Sequence, residues 1–506
     1  MKTKVILFFL MTLSFILEHS SDTWSQKSNI NTKSRTIITT DGEIDDVDSF
    51  IRMLLYANEF NIEGLVYSSS QWHYKGDGKG TMFTSEMENT AKRYGKRIAL
   101  RWPGTTWIQE LLDEYEKVHP NLLKHDKNYP TASALRKLIK VGNIDFEGEM
   151  DKDTEGSEWI KKILLDNNPQ PVYLQIWGGT NTVARALKSI EDTYKKTSQW
   201  ASIYKKVSDK AIIYAVLDQD ATYQKYVAPN WPDIKVFYNS DQFWCFAYPW
   251  PRVVPNELQS FLRGEFMGEN IIQFHGPLLA KYYAWGDGQK QVGDDEHTHG
   301  DMVQAQKYKM TQYDFISEGD SPAYFQLLDV GLMSKDHPEY GGWGGRMVQS
   351  KINPHRWEDG KQVTDFNPFT QKQDASFPQT RWIEALQLDF ASRADWCIKS
   401  FKEANHAPKI IVKGNNIRKV KAGTKITLEA SAIDPDGNVV DFKFWQYQEA
   451  GTSPEKASIE QTMPNAASIT IPTEAKSGDT IHIIVEGKDK GTPALIRYQR
   501  VILIIA

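Results

Sequence analysis

The sequence predicts an α/β protein: a mainly parallel sheet with helices on both faces, followed by a C-terminal β-sandwich. Three observations predict it. Between Arg35 and about Ser240, short β-branched apolar runs alternate with amphipathic stretches, as expected for strands buried on both faces and joined by helices. Beyond about residue 408 the pattern changes to short alternating strands separated by turns, the texture of a sandwich. Near the start of the first part lies a cluster of acids where the first strand meets the first helix, the edge at which such sheets bind ligands.

The elements follow in order. Lys2 and Lys4 precede an apolar run from Val5 to Leu17. This reads as a Sec signal peptide over residues 1–26, so the protein is expected to be secreted or periplasmic. The run is too short to span a bilayer comfortably, and no Cys follows it, so no membrane association is expected after cleavage. Strands are predicted at 36–40, 62–68, 97–102, 171–177, 211–217 and 233–238. Helices are predicted near 46–57, 85–94, 106–118, 157–165, 182–190 and 198–207. Residues 241–402 are irregular and rich in Gly, Trp, His and Asp, and read as loops and helices that close over the site. Asn405–Pro408 reads as a linker between a first domain at 35–404 and a second at 408–506. Strands of the second are expected at 409–412, 425–430, 441–446, 467–471, 480–486 and 498–505, with Asp434-Pro-Asp-Gly as a turn.

Composition narrows the function. The 506 residues carry a net charge of −5 with no basic stripe, so nucleic acid is not an expected partner. The two cysteines, Cys245 and Cys397, could pair in an exported chain or stand as buried thiols. There are 16 Trp and 22 Tyr. Trp72, Trp102, Trp107, Trp177, Trp285 and Trp343 lie in polar, Gly-rich surroundings, where they could stack on sugar rings or fill a core.

The segment Ile37-Ile-Thr-Thr-Asp-Gly-Glu-Ile-Asp-Asp-Val-Asp48 carries the chemistry. Asp41 ends a strand, a tight turn follows, and Asp45 and Asp46 open a helix. Clustered carboxylates repel unless a cation neutralises them or some are protonated. Oxygen-only ligands favour a hard cation such as Ca²⁺. Helix capping explains one or two such acids, but not three together with Glu43 and Asp48. Asp294-Asp-Glu-His-Thr-His299 has metal-like composition but reads as a solvated loop. Asp218 and Asp220 end a strand, where they could face a pocket or cap the next helix.

The Asp-rich segment resembles the N-terminal motif of nucleoside hydrolases, D-x-D-x-G-x-D-D. Asp41, Asp45 and Asp46 match its second, third and fourth acids, while Thr39 replaces the first acid and Glu43 the glycine. The resemblance implies that Asp41 and Asp46 hold calcium, that Asp45 binds sugar hydroxyls, and that Asp41 also activates the attacking water. Trp177-Gly-Gly-Thr-Asn181 resembles the family's Gly-rich segment, with the Trp177 carbonyl as a calcium ligand. Glu318-Gly-Asp320 resembles the late segment that supplies the last carboxylate, Asp320. Gly319 stands where many relatives carry a His that assists the leaving group. The order of these motifs, with Asp218-Gln-Asp220, His275-Gly-Pro and Gly341-Gly-Trp-Gly-Gly345, is closer to a family described as cellulose-binding proteins with a nucleoside-hydrolase-like domain and an Ig-like C-terminal domain.

What this implies is an exported, calcium-dependent hydrolase that cleaves glycosidic bonds of a carbohydrate through a metal-bound water. Asp41 is the expected base. Asp45, Asn181 and Trp343 are the expected substrate contacts. Asp41, Asp46, Trp177 and Asp320 are the expected metal ligands. The alternatives are a carbohydrate-binding protein without turnover and a true nucleoside N-ribohydrolase. The oligomeric state is left open.

Overall fold

Ile37 and Ile38 are both fully buried, yet they belong to different cores, because successive side chains of a strand point to opposite faces. The strand that carries them, β1 (Ser34–Thr40), lies inside an eight-stranded sheet of the computed structural model, which describes residues 33–506. The signal peptide read at residues 1–26 lies outside the described residues. The other strands are β2 (Phe60–Tyr67), β3 (Ile139–Val141), β4 (Val172–Ile176), β5 (Ala211–Val216), β6 (Lys235–Asn239), β7 (Val348–Gln349) and β8 (Arg356–Glu358). Their order is β3-β2-β1-β4-β5-β6-β8-β7. Every neighbouring pair is parallel except β8 with β7.

Helices cover both faces. Helix α1 (Ile44–Leu55) buries Phe50, Ile51 and Leu54 in the core that Ile38 enters. Helices α2 (Glu155–Leu165) and α3 (Asn181–Tyr194) bury Ile160, Leu164, Val183 and Leu187 in the core of Ile37. The chain runs outward from β1 to β2 and β3, then returns to place β4 on the other side of β1. The order therefore reverses between β1 and β4. A crevice opens beyond the carboxyl ends of strands at such a point.

One expected strand is absent. Residues 97–102 do not join the sheet. Lys96–Arg97 pairs only with Phe83–Thr84, and Leu100 bridges Tyr74. Leu100 packs with Tyr74 and Tyr94 in a small separate cluster. The sheet edge beside β2 is taken instead by Ile139–Val141. At the opposite end Arg356–Glu358 extends the sheet, a strand too short and polar to show a period.

The C-terminal part forms two four-stranded sheets. One has the order Lys409–Val412, Lys425–Ile433, Ala466–Thr470, Ser458–Met463. The other has the order Ile417–Val420, Ile496–Ile505, Thr480–Asp489, Val440–Gln446. Leu428, Ile469, Ile483, Val485 and Leu503 fill the space between them. Asn405–Pro408 is not a free tether. Asn405 and His406 are buried, and Asn405 Nδ2 donates to Pro493 O at 2.8 Å. Tyr447, Ile484, Ile496 and Tyr498 of the sandwich share one core with Trp382 and Ile383. Ser34–Ala506 thus forms one compact unit. Cys245 and Cys397 are both buried and free. Among the described residues no helix is long and apolar enough to cross a membrane.

Candidate functional site

The site begins where β1 ends. Gly42 turns the chain with φ +80°. A Cβ there would stand 2.6 Å from Pro103 Cγ, so only glycine fits this left-handed, crowded position. Glu43 then caps α1 in a capping box with Asp46: Glu43 N donates to Asp46 Oδ2 at 3.2 Å. Thr40 Oγ1 donates to Asp46 Oδ1. Asp46 is therefore a capping residue, yet capping does not use up the cluster. Carboxylate oxygens of Asp45, Asp46 and Asp320 all lie within 4.8 Å of one another.

Asp41 lies beside this trio rather than in it. It is buried, and its Oδ2 has no hydrogen-bond partner among the described residues. Beside it stands the His73 ring, whose Nδ1 lies 3.6 Å from Asp41 Oδ2 and 3.7 Å from Glu43 Oε2. The close fit depends on Gly178, where a Cβ would stand 2.8 Å from Asp41 Cγ. Burial works against the Asp41 charge, but the adjacent His73 outweighs it and holds the carboxyl below its usual range. The trio goes the other way. Burial first, then like charges, push Asp45, Asp46 and Asp320 well above the usual carboxylate range. Three converging oxygen donors that repel one another fit a hard cation such as Ca²⁺.

A cavity of about 570 Å³ opens over these acids. Its wall is aromatic, with Trp72, Trp177, Trp244, Tyr248, Trp285 and Tyr308. The loop from Asp294 to His299, read from sequence as solvated, is part of this wall: Glu296, His297, Thr298 and His299 line it. Asp294 is 2% exposed. Its Oδ1 accepts from the amides of Glu296 and His297 at 3.0 Å each, and its Oδ2 lies 2.7 Å from His297 Nδ1. The loop is thus folded around its own buried acid, which a polar composition does not reveal. Burial, reinforced by His297, lowers the pKa of His299 to about 4.

The other expected contacts lie elsewhere. Asn181 is fully buried, and its Nδ2 donates to Ser69 Oγ at 2.9 Å and to Asn143 O at 3.0 Å. That side chain ties the start of α3 to the segments that follow β2 and β3, and does not line the cavity. Trp343 is 1% exposed, with the Arg497 guanidinium 5.1 Å from its ring. It fills the core shared with the sandwich and is not a cavity residue. Trp177 does line the cavity, and its carbonyl accepts from Gln219 Nε2 at 2.7 Å. Asp220 caps α3, accepting from Asn181 N at 2.9 Å, and Asp218 accepts from Gln224 N at 2.9 Å. At Gly319 a Cβ would stand 2.7 Å from Asp45 Oδ2, so a larger residue there would have to displace the acid. His73 and the 294–299 wall are the parts that sequence reasoning missed. His73 carries no local pattern, and the composition of 294–299 does not show that the loop packs against the site.

Residues 35–347 match the family described as cellulose-binding Sde182, nucleoside hydrolase-like domain. The chain belongs to this family. Residues 425–505 match the C-terminal domain of the cellulose-binding protein Sde0182. Among solved structures, the chain is similar to a nucleoside hydrolase-related hypothetical protein from Saccharophagus degradans, described as associated with carbohydrate metabolism. Identity is 25%, the match covers 94% of this chain and 100% of that one, and the TM-score is 0.67. A weaker likeness, to the effector protein XOO4466, has 9% identity and a TM-score of 0.34 over 72% of this chain and 94% of that one. No curated protein matches. The first match covers most of the mainly parallel sheet and the second most of the β-rich C-terminal part.

Proposed function

We propose that this member of the cellulose-binding Sde182 family is an exported, calcium-dependent hydrolase of glycosidic bonds in a carbohydrate. The observation that carries the reading is Asp41 Oδ2, a buried, unpartnered carboxylate oxygen beside three converging acids under an aromatic cavity. A hard cation held by Asp45, Asp46 and Asp320 would neutralise their charge and supply Lewis acidity at the cavity floor. Asp41 accepts the proton of the attacking water, kept ionised for that task by His73. Asp45 accepts hydrogen bonds from sugar hydroxyls, and the aromatic wall stacks on the ring faces. These carboxylates also stabilise the positive charge of an oxocarbenium-like transition state. His297, whose Nδ1 lies 2.7 Å from Asp294 Oδ2, also lines the cavity.

A second reading is a carbohydrate-binding protein without turnover. It is favoured by Gly319, which leaves no room for a proton donor beside Asp320. Product release separates the readings. The full chain is incubated with a panel of plant and bacterial oligosaccharides and with nucleosides, each with and without EDTA. The expected result is release from an oligosaccharide that EDTA abolishes. Binding without release supports the second reading, and release only from nucleosides makes the protein a nucleoside hydrolase.

A further inference from the structure

We propose that the carbohydrate taken by this cavity carries an anionic substituent, a carboxylate or a sulfate ester, recognised by Arg93, Arg101 and Arg252. The proposal rests on the reading of the cavity as a carbohydrate site and adds the class of sugar.

Three arginines from three separate segments line the same cavity. Arg93 lies in the last turn of the Glu88–Tyr94 helix, Arg101 in the loop that follows it, and Arg252 in the short Trp250–Val253 helix. A neutral sugar offers hydroxyls and apolar ring faces, which the acids and aromatics already satisfy. It offers a guanidinium no opposite charge.

The side chains are also disposed for an anion. Arg101 is 8% exposed, and its Nε has no hydrogen-bond partner among the described residues. A buried charged donor without a partner is unfavourable unless a ligand completes it. The guanidinium carbons of Arg93 and Arg101 lie 5.0 and 5.4 Å from the centroid of the same ring, Tyr94. Two cations thus gather at one ring. Arg101 is balanced by Asp294, 3.7 Å away. Arg93 and Arg252 are exposed and make no ion pair among the described residues. Anchoring of the 294–299 loop therefore accounts for Arg101 but not for the other two. A planar guanidinium fork matches the paired oxygens of a carboxylate or sulfate.

Matched neutral and acidic ligands test this. The full chain, with Ca²⁺ at low ionic strength, is titrated calorimetrically with cellotetraose, its C6-carboxylated counterpart and its 6-O-sulfated counterpart. Oligogalacturonate and its methyl ester form a second series. The expected result is that an acidic member binds at least about tenfold tighter than its neutral partner, as a charge-assisted bidentate contact implies. The preference should shrink at about 0.5 M salt and in Arg93→Gln and Arg252→Gln, both at exposed positions, with melting curves confirming that each variant is folded. The carboxylated and sulfated arms tell which anion is recognised. Neutral members binding as tightly as acidic ones in every series would overturn the proposal and leave the carbohydrate reading standing. No binding by any member would overturn both.

Discussion

Asp41 is pulled two ways, by a buried setting that disfavours charge and by His73, which restores it. That balance suits a general base: an ionised carboxyl with one oxygen, Oδ2, left without a hydrogen-bond partner among the described residues. Asp41→Asn keeps the size and one ligating oxygen but removes the base. Turnover should fall about 10²–10⁴-fold, as for other general bases, with sugar affinity nearly unchanged. A parallel fall in affinity would make Asp41 a ligand instead. Gly319 tests the neighbouring geometry. In Gly319→Ala the new Cβ must move Asp45 Oδ2, 2.7 Å away, so calcium affinity should drop in titrations while the fold is kept. Asp41, Asp45 and Asp46 were legible because one strand–turn–helix gathers them in six residues. His73 was not, because only the fold brings the loop after β2 against Asp41. Trp343 misled because glycine neighbours suggest an open, sugar-facing tryptophan. Those glycines instead allow tight packing: a Cβ at Gly344 would stand 2.7 Å from Gln326 Cα, and one at Gly341 2.5 Å from the Tyr447 hydroxyl.

At the scale of elements, the strands of the main sheet were readable where both faces are buried. β1, β4 and β5 are runs in which nearly every side chain is buried, with little of the polar alternation of a one-sided sheet. The 97–102 run has similar residues but packs in a local cluster, which periodicity cannot distinguish from a sheet strand. The 294–299 wall was illegible for another reason. Its order comes from one buried acid satisfying backbone amides, not from repeated spacing. Asp294→Ala removes the acceptor for two amides and the partner of His297 and Arg101. The change should cost about 1–3 kcal/mol in unfolding experiments and should weaken ligand binding at least about tenfold through loss of the wall. Unchanged binding with the same destabilisation would remove this loop from the site.

At the scale of the molecule, the sandwich was legible from its turns and alternation, but its union with the α/β part was not. Nothing in Asn405–Pro408 shows that these residues are buried. Arg500 makes the union concrete. It is fully buried and donates to Leu332 O, Tyr340 O and Gly341 O at 2.7, 2.9 and 2.9 Å. Arg500→Ala should cost about 2–5 kcal/mol by leaving these acceptors unpaired. The chain from Ser34 should melt in one transition, because the two parts share a core. Separate transitions for the two parts would contradict this. Acid should weaken the same seam. Burial, then the Arg500 charge, lowers His482 to about 3, and burial lowers His125 to about 4. Between those values and about 6.5, where a free His titrates, the unfolded chain binds more protons. Stability therefore falls as pH drops through this window. His482→Gln should flatten the fall in melting temperature between about pH 6.5 and 4, and an unchanged slope would exclude His482 as a contributor.

The central claim is that the cavity floor holds a hard cation, and metal content tests it most directly. The purified full chain, dialysed against trace calcium, is measured for bound metal alongside Asp46→Ala and Asp320→Asn. The account predicts about one Ca²⁺ per chain, as for a single oxygen-donor site, and its loss in Asp46→Ala, with weakened retention in Asp320→Asn. A folded wild-type chain that binds no calcium, or one whose calcium is unaffected by either substitution, would contradict it.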